Sequence, residues 1–282
     1  MAIDYEVEFN NRARVPEHPD IFARWAREGE AYRMASPRAE LGLSYGGSPR
    51  RTIDLFPAPG DSGNAPLALF IHGGWWRSLE PASFSQMAKG PNAHGVTVAV
   101  AGYDLCPTCS IGDIVAQMRA ACLFLWRKRR QRIFVYGHSA GGHLSACMLA
   151  TDWKSLAPDA PADLVPAAYA ISGVFDLVPL TQVSMNADLR LDEKSARTLS
   201  PLYWPVPPGC TLDAVVGALE SNEFLRQSRV IAEAWRQGKA NTRYEAVAGT
   251  NHFTVIDALA DPNSAMTKRV VELAKQVAAI SL

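Results

Sequence analysis

A serine hydroxyl attacks a carbonyl only when it is exposed, held outward and paired with a base. The segment Gly137-His138-Ser139-Ala140-Gly141 meets the first two needs through its neighbours. The apolar run Ile133-Phe134-Val135-Tyr136 precedes it as a strand, and Gly142-His143-Leu144-Ser145-Ala146 continues it as a helix. Small residues around Ser139 let the chain turn sharply between the two, so that the hydroxyl projects above the sheet. The pattern predicts a nucleophile at Ser139 rather than a structural Gly-rich turn.

A base and an acid are expected further along the chain, in the order serine, acid, histidine. Of the six histidines, only His252 lies beyond both the serine and a later strand, in Gly249-Thr250-Asn251-His252-Phe253. His18 and His94 precede Ser139 and read as surface residues, whereas His138 and His143 flank it in packing or hydrogen-bonding roles. Glu220 ranks first as the acid, at the end of the strand that holds Val215-Val216-Gly217-Ala218 and just before the expected N-cap Ser221. Asp176 ranks next, with Glu223 and Asp213 behind; Glu223 falls in a first helical turn, where an acid meets the helix dipole. His72-Gly73-Gly74-Trp75-Trp76 follows another buried strand, and its backbone amides at Gly73 and Gly74, with that of Ala140, would hold an oxyanion.

Other motifs carry less. Cys106-Pro107-Thr108-Cys109 has redox or half-zinc spacing, but no second ligand pair follows, and thiols in a turn are expected. Neither a G-x-G-x-x-G fingerprint nor an H-E-x-x-H pattern occurs. The sequence therefore calls for no cofactor and no metal.

The elements that must position these residues alternate. Strand-like runs cover 51–56, 67–71, 96–103, 133–136, 167–171, 212–218 and 243–247. Helical spacing is present over 17–34, in Ile114, Met118, Cys122 and Leu125 behind a capping box Ser110-x-x-Asp113, in Phe224, Leu225, Ile231, Ala232 and Trp235, and in Met266, Val270, Leu273, Ala274 and Val277. Such alternation implies an α/β class with a mostly parallel sheet, helices on both faces, and ligands beyond the carboxyl ends of the strands. A single domain over 1–282 is expected, with a helical segment at 1–40 and a proline-rich, cap-like insertion at 176–209.

The chain has 282 residues, 48% hydrophobic and 20% charged, which suffices for a large core. Lys plus Arg equals Asp plus Glu, 28 each, so nothing argues for nucleic acid or an anionic membrane. The basic run Arg127-Lys128-Arg129-Arg130 with Arg132 reads as a solvated face at a helix C-terminus. The acidic start from Met1 to Glu8 lacks an apolar h-region, no stretch reaches the length of a membrane span, and five cysteines suit a reducing compartment. A cytoplasmic protein acting on a small molecule is expected, with a homo-oligomer left open.

With these residues in place, the chain resembles the kynurenine formamidase (arylformamidase) branch of the α/β-hydrolase fold, near the hormone-sensitive-lipase-like esterases. The likeness rests on His72 to Trp76, Tyr103-Asp104-Leu105-Cys106-Pro107, Gly137 to His143, Ser172-Gly173-Val174-Phe175-Asp176-Leu177, Glu220 to Ser228, and Asn251-His252-Phe253. It spans about residues 65 to 255, and Glu220 to Ser228 is its most discriminating part. In that family the position of Glu220 is commonly aspartate, and that of Trp75 usually tyrosine. The resemblance implies hydrolysis of an N-formyl aryl amine such as N-formyl-kynurenine. A carboxylesterase for small esters is the alternative, and a non-catalytic binding protein on the same fold a more distant one. Trp75, Trp76, Tyr203 and Trp204 are candidates for an aromatic substrate wall or for plain packing, and Tyr5, Phe9 and Asn10 for a cover over the pocket.

Overall fold

Short runs of Val, Ile, Leu, Ala and Phe, buried on both sides, favour central parallel strands. The computed structural model describes residues 3–280, so that Met1 and Ala2 of the acidic start lie outside the described residues. Eight strands form one sheet: β1 (Glu40–Ser44), β2 (Thr52–Phe56), β3 (Leu67–Ile71), β4 (Thr97–Ala101), β5 (Ile133–His138), β6 (Ala167–Ile171), β7 (Thr211–Gly217) and β8 (Asn241–Val247). Their order is β1-β2-β4-β3-β5-β6-β7-β8, with β1 and β2 antiparallel and the rest parallel. Seven of these were expected. β1 escapes the sequence because it is a mostly exposed edge, irregular beside Gly42, whose φ is +69°.

Alternate strand residues serve opposite faces. Leu69, Ile71 and Val135 pack with the helices α2 (Ile111–Arg129), α3 (Ala140–Leu149) and α4 (Asn222–Gln237). Phe70, Phe134 and Tyr136 pack with α1 (His18–Met34) and α5 (Ala265–Ala278). The capping box at Ser110 and Asp113 and the N-cap at Ser221 form as the sequence predicts. From β3 the chain steps one way to β4 and then back past β3 to β5. That reversal opens a crevice at the carboxyl ends of β3 and β5, where open α/β sheets bind ligands.

Residues 176–209 form short helical turns, among them Val178–Gln182, Glu193–Thr198 and Pro201–Tyr203. The basic run departs from the expected solvated face. Arg127 and Arg130 are exposed, but Lys128 reaches Glu40, Arg129 is bound to the buried Asp61, and Arg132 to Asp163. The run therefore ties the end of α2 to neighbouring loops. Among the described residues no helix is long and apolar enough to cross a membrane.

Asp213, an early contender for the acid, is a structural charge. Its carboxylate is 1% exposed and accepts from Arg269 Nε at 2.8 Å and Nη2 at 3.2 Å, with Arg243 at 3.8 Å. Removing one partner of a buried pair leaves the other uncompensated, at a cost of about 3–5 kcal/mol. Arg269 is itself partly solvated and Arg243 remains, so Arg269→Ala is expected to cost about 2 kcal/mol. Urea unfolding measures it, and Arg269→Ala with Asp213→Asn should lose less than the sum of the two changes.

Candidate active site

Between β5 and α3, Ser139 adopts φ 57° and ψ −117°, a conformation that a non-glycine residue holds only when its surroundings enforce it. The enforcement is steric. A Cβ on Gly141 would lie 1.9 Å from the Ile71 carbonyl oxygen, so α3 can approach β3 this closely only through glycine. Ser139 itself is 3% exposed, and its Oγ stands 3.0 Å from His252 Nε2. The other ring nitrogen, Nδ1, is 2.6 Å from Glu220 Oε2. Three groups separated by 81 and 32 residues thus form one hydrogen-bonded line.

Each member of the line is held by its surroundings. Glu220 Oε1 accepts from the Ser172 hydroxyl at 2.5 Å and from the Gly217 amide at 2.7 Å, which uses the longer glutamate chain to fold back onto the end of β7. The His252 ring is walled by Phe224 at 4.7 Å, His138 at 4.9 Å and Phe253 at 5.4 Å. His138 donates from Nε2 to the His252 carbonyl oxygen at 2.7 Å, while Asn251 accepts from the amides of Phe253 and Thr254. His138 thus takes the hydrogen-bonding role expected of it, whereas the part of Ser172 is missed by sequence reading and revealed only by the three-dimensional return of β6 to Glu220.

The remaining carboxylates are engaged elsewhere. Asp176 Oδ1 accepts from the Val178 amide, and its backbone amide and carbonyl are both bound by the Gln227 side chain. Glu223 forms a two-point pair with Arg226, and its amide donates to Glu8 Oε2 at 2.8 Å. Neither reaches His252.

The loop after β3 approaches Ser139 from the other side. A Cβ on Gly73 would lie 2.9 Å from Ser139 Cβ, which requires glycine there. Tyr103 donates its hydroxyl to the His72 carbonyl oxygen at 2.9 Å, and His72 Nδ1 donates to that of Gly73 at 2.7 Å. The carbonyls of the loop are thereby occupied. Trp75 and Trp76 both hold φ 54°, which is strained for bulky residues. Ala140 opens α3, where the first amides of a helix lack internal partners. Burial holds His72 and His143 at about 4 and His138 well below its ordinary range, so these three imidazoles are neutral at pH 7.

A small cavity of about 30 Å³ adjoins Ser139 and His252. Trp75 and Gly74 line it, together with Phe22 and Trp25 of α1 and with Asn11 and Arg12. Trp25 is fixed there by a bond from its Nε1 to Asp257, in the turn that follows His252. Three of the four aromatic candidates fall elsewhere. Trp76 is fully buried with its ring edge-on to His143, because its side chain turns into the core. Tyr203 is 42% exposed beneath Arg197, and Trp204 donates to the Thr198 carbonyl near Arg119. The 176–209 segment contributes no side chain to this cavity.

The N-terminal segment covers the site instead. Phe9 meets Trp75 edge-on at 5.8 Å and Tyr5 stacks on Phe9, while Asn10 caps the turn Asn11–Arg14. The lining residues are therefore Asn11 and Arg12 rather than Asn10, a shift that no periodicity in this polar stretch signals. A wider surface groove of about 630 Å³, lined by Arg24, Lys89 and Asp257 among others, lies apart and contains none of the reactive groups.

Comparison with known proteins supports a hydrolase on this fold. The BD-FAE family model matches residues 53–200, from β2 into the cap-like segment. Kynurenine formamidases of Danio rerio and Salmo salar are 27% and 28% identical, over 83% and 88% of this chain and 81% and 86% of theirs. A solved structure from Silicibacter sp. TM1040, described as a thioesterase candidate, superposes with a TM-score of 0.85 at 32% identity, covering 95% of this chain and 99% of that one. The chain belongs to the BD-FAE family and has the α/β-hydrolase fold.

Proposed function

We propose that this protein is a serine hydrolase that cleaves a small aryl formamide, of which N-formyl-kynurenine is the type, through a formyl-enzyme. The observation that carries the reading is the line Ser139–His252–Glu220, at 3.0 and 2.6 Å. His252 Nε2 takes the proton of Ser139 as Oγ bonds the formyl carbon. Glu220 fixes the ring with its proton on Nδ1 and stabilises the imidazolium that forms. The amides of Gly73, Gly74 and Ala140 receive the oxyanion. The C–N bond then breaks as His252 returns the proton to nitrogen, the aryl amine leaves, and water repeats the sequence to release formate.

Substrate class is supported by size and charge. The cavity beside Ser139 is narrow, about 30 Å³, and favours a small acyl group. Longer acyl chains would have to displace Trp75 or the N-terminal helices. Among the described residues Arg12 has no carboxylate partner and is the sole permanently charged side chain lining the cavity, which suits a leaving group that carries a carboxylate. The kinship with kynurenine formamidases points the same way.

The competing reading is a carboxylesterase, which would use the same groups. Turnover of N-formyl-kynurenine beside p-nitrophenyl acetate and butyrate separates them. The proposal expects formamide cleavage, and a kcat/KM for butyrate at least about tenfold below that for acetate, as expected when added methylenes meet a closed wall. Efficient ester turnover without formamide cleavage would leave only the esterase.

A further inference from the structure

Nothing in the scheme above uses the second nitrogen of His138, yet that atom is an unexplained polar group on the wall of the site. His138 is 3% exposed and lines the cavity beside Ser139. Its Nε2 faces the His252 carbonyl oxygen at 2.7 Å, and a carbonyl only accepts, so Nε2 carries the hydrogen. Nδ1 is then a lone-pair acceptor, buried and without a partner. It lies 3.3 Å from where a Cβ on Gly73 would stand, a point itself 2.9 Å from Ser139 Cβ. Burial keeps the ring neutral and preserves the acceptor.

Resting on the serine-hydrolase reading, we infer that His138 Nδ1 accepts the N–H of the scissile amide and so selects amides over esters at this site. When Ser139 Oγ bonds the acyl carbon, amide resonance is lost and nitrogen becomes pyramidal. Its new lone pair must face His252 Nε2 to receive the proton before the C–N bond breaks. The N–H is turned away from His252 by that geometry and needs an acceptor of its own. An ester oxygen has no hydrogen to place there, so the contact stabilises the transition state of amides alone.

Two substitutions divide the roles of the ring. In His138→Gln the side-chain amide nitrogen reaches the place of Nε2 and keeps the donor to the His252 loop, but the acceptor at Nδ1 is lost. In His138→Asn an acceptor remains near Nδ1 and the loop contact is lost. The expected result is a fall in kcat/KM for formanilide, relative to p-nitrophenyl acetate, on the order of 10- to 100-fold in His138→Gln. His138→Asn should lower both substrates together and leave their ratio near wild type. The unaltered enzyme should discriminate against N-methylformanilide, and His138→Gln should lose most of that discrimination. Equal losses on amide and ester in His138→Gln would overturn the assignment, as would wild-type cleavage of N-methylformanilide at the rate of formanilide. Failure of the underlying scheme looks different, because Ser139→Ala would then keep its turnover of both substrates.

Discussion

Ser139→Ala is expected to lower kcat by about 10⁴- to 10⁶-fold on formamide and ester alike, the range found when a hydrogen-bonded nucleophile is removed. The size follows from what is lost. Without Oγ there is no covalent path, and only oxyanion binding and positioning remain, which give a residual rate over water. Stability should change by less than about 1 kcal/mol, since Oγ gives up a single hydrogen bond, that to His252. Activity assays with unfolding curves on the same protein read both quantities. A variant that retains more than a tenth of wild-type turnover would remove Ser139 from the mechanism.

Glu220→Gln carries the next largest effect, a fall in kcat of about 10³- to 10⁴-fold. Glutamine fits the space and retains a carbonyl oxygen for Ser172 and Gly217, so the loop is preserved. Its NH₂ group, however, would face His252 Nδ1. The ring would answer by accepting there, which places its hydrogen on Nε2 and removes the base that Ser139 needs. The loss is therefore electrostatic and tautomeric rather than structural. Asp176→Ala is the internal control, because its carboxylate bonds the Val178 amide and not His252. If Glu220→Gln stayed near wild type while Asp176→Ala collapsed, the acid would have to be reassigned.

The residues most legible in the sequence were those bound to a regular element. Ser139 stands between the four-residue apolar run Ile133–Tyr136 and a helix, and the loop at Gly73 follows the fully buried β3, so their places follow from strand ends alone. Glu220 and His252 could be ordered along the chain, but the choice of Glu220 over Asp176 rested on placing the acid after the penultimate strand. The structure adds the reason in Gln227, which ties down the Asp176 backbone, and in Ser172 with Gly217, which collect the Glu220 carboxylate. The cover of the site was not legible. Tyr203 and Trp204 are aromatic and proline-flanked, yet they stack on arginines at the surface, whereas polar Asn11 and Arg12 reach the cavity. Hydrophobic periodicity reports which face of a helix is buried, and it carries no signal for a short polar turn laid across a crevice.

The central claim is that Ser139 forms a covalent acyl-enzyme under the control of His252. Intact-mass and peptide mass spectrometry after reaction with an arylsulfonyl fluoride tests it most directly. The expected result is one adduct per chain on the peptide that contains Ser139, with formamide and ester turnover lost in proportion to labelling, and no adduct in His252→Ala over the same period. Full labelling at another residue, or undiminished turnover by a fully labelled Ser139, would contradict it.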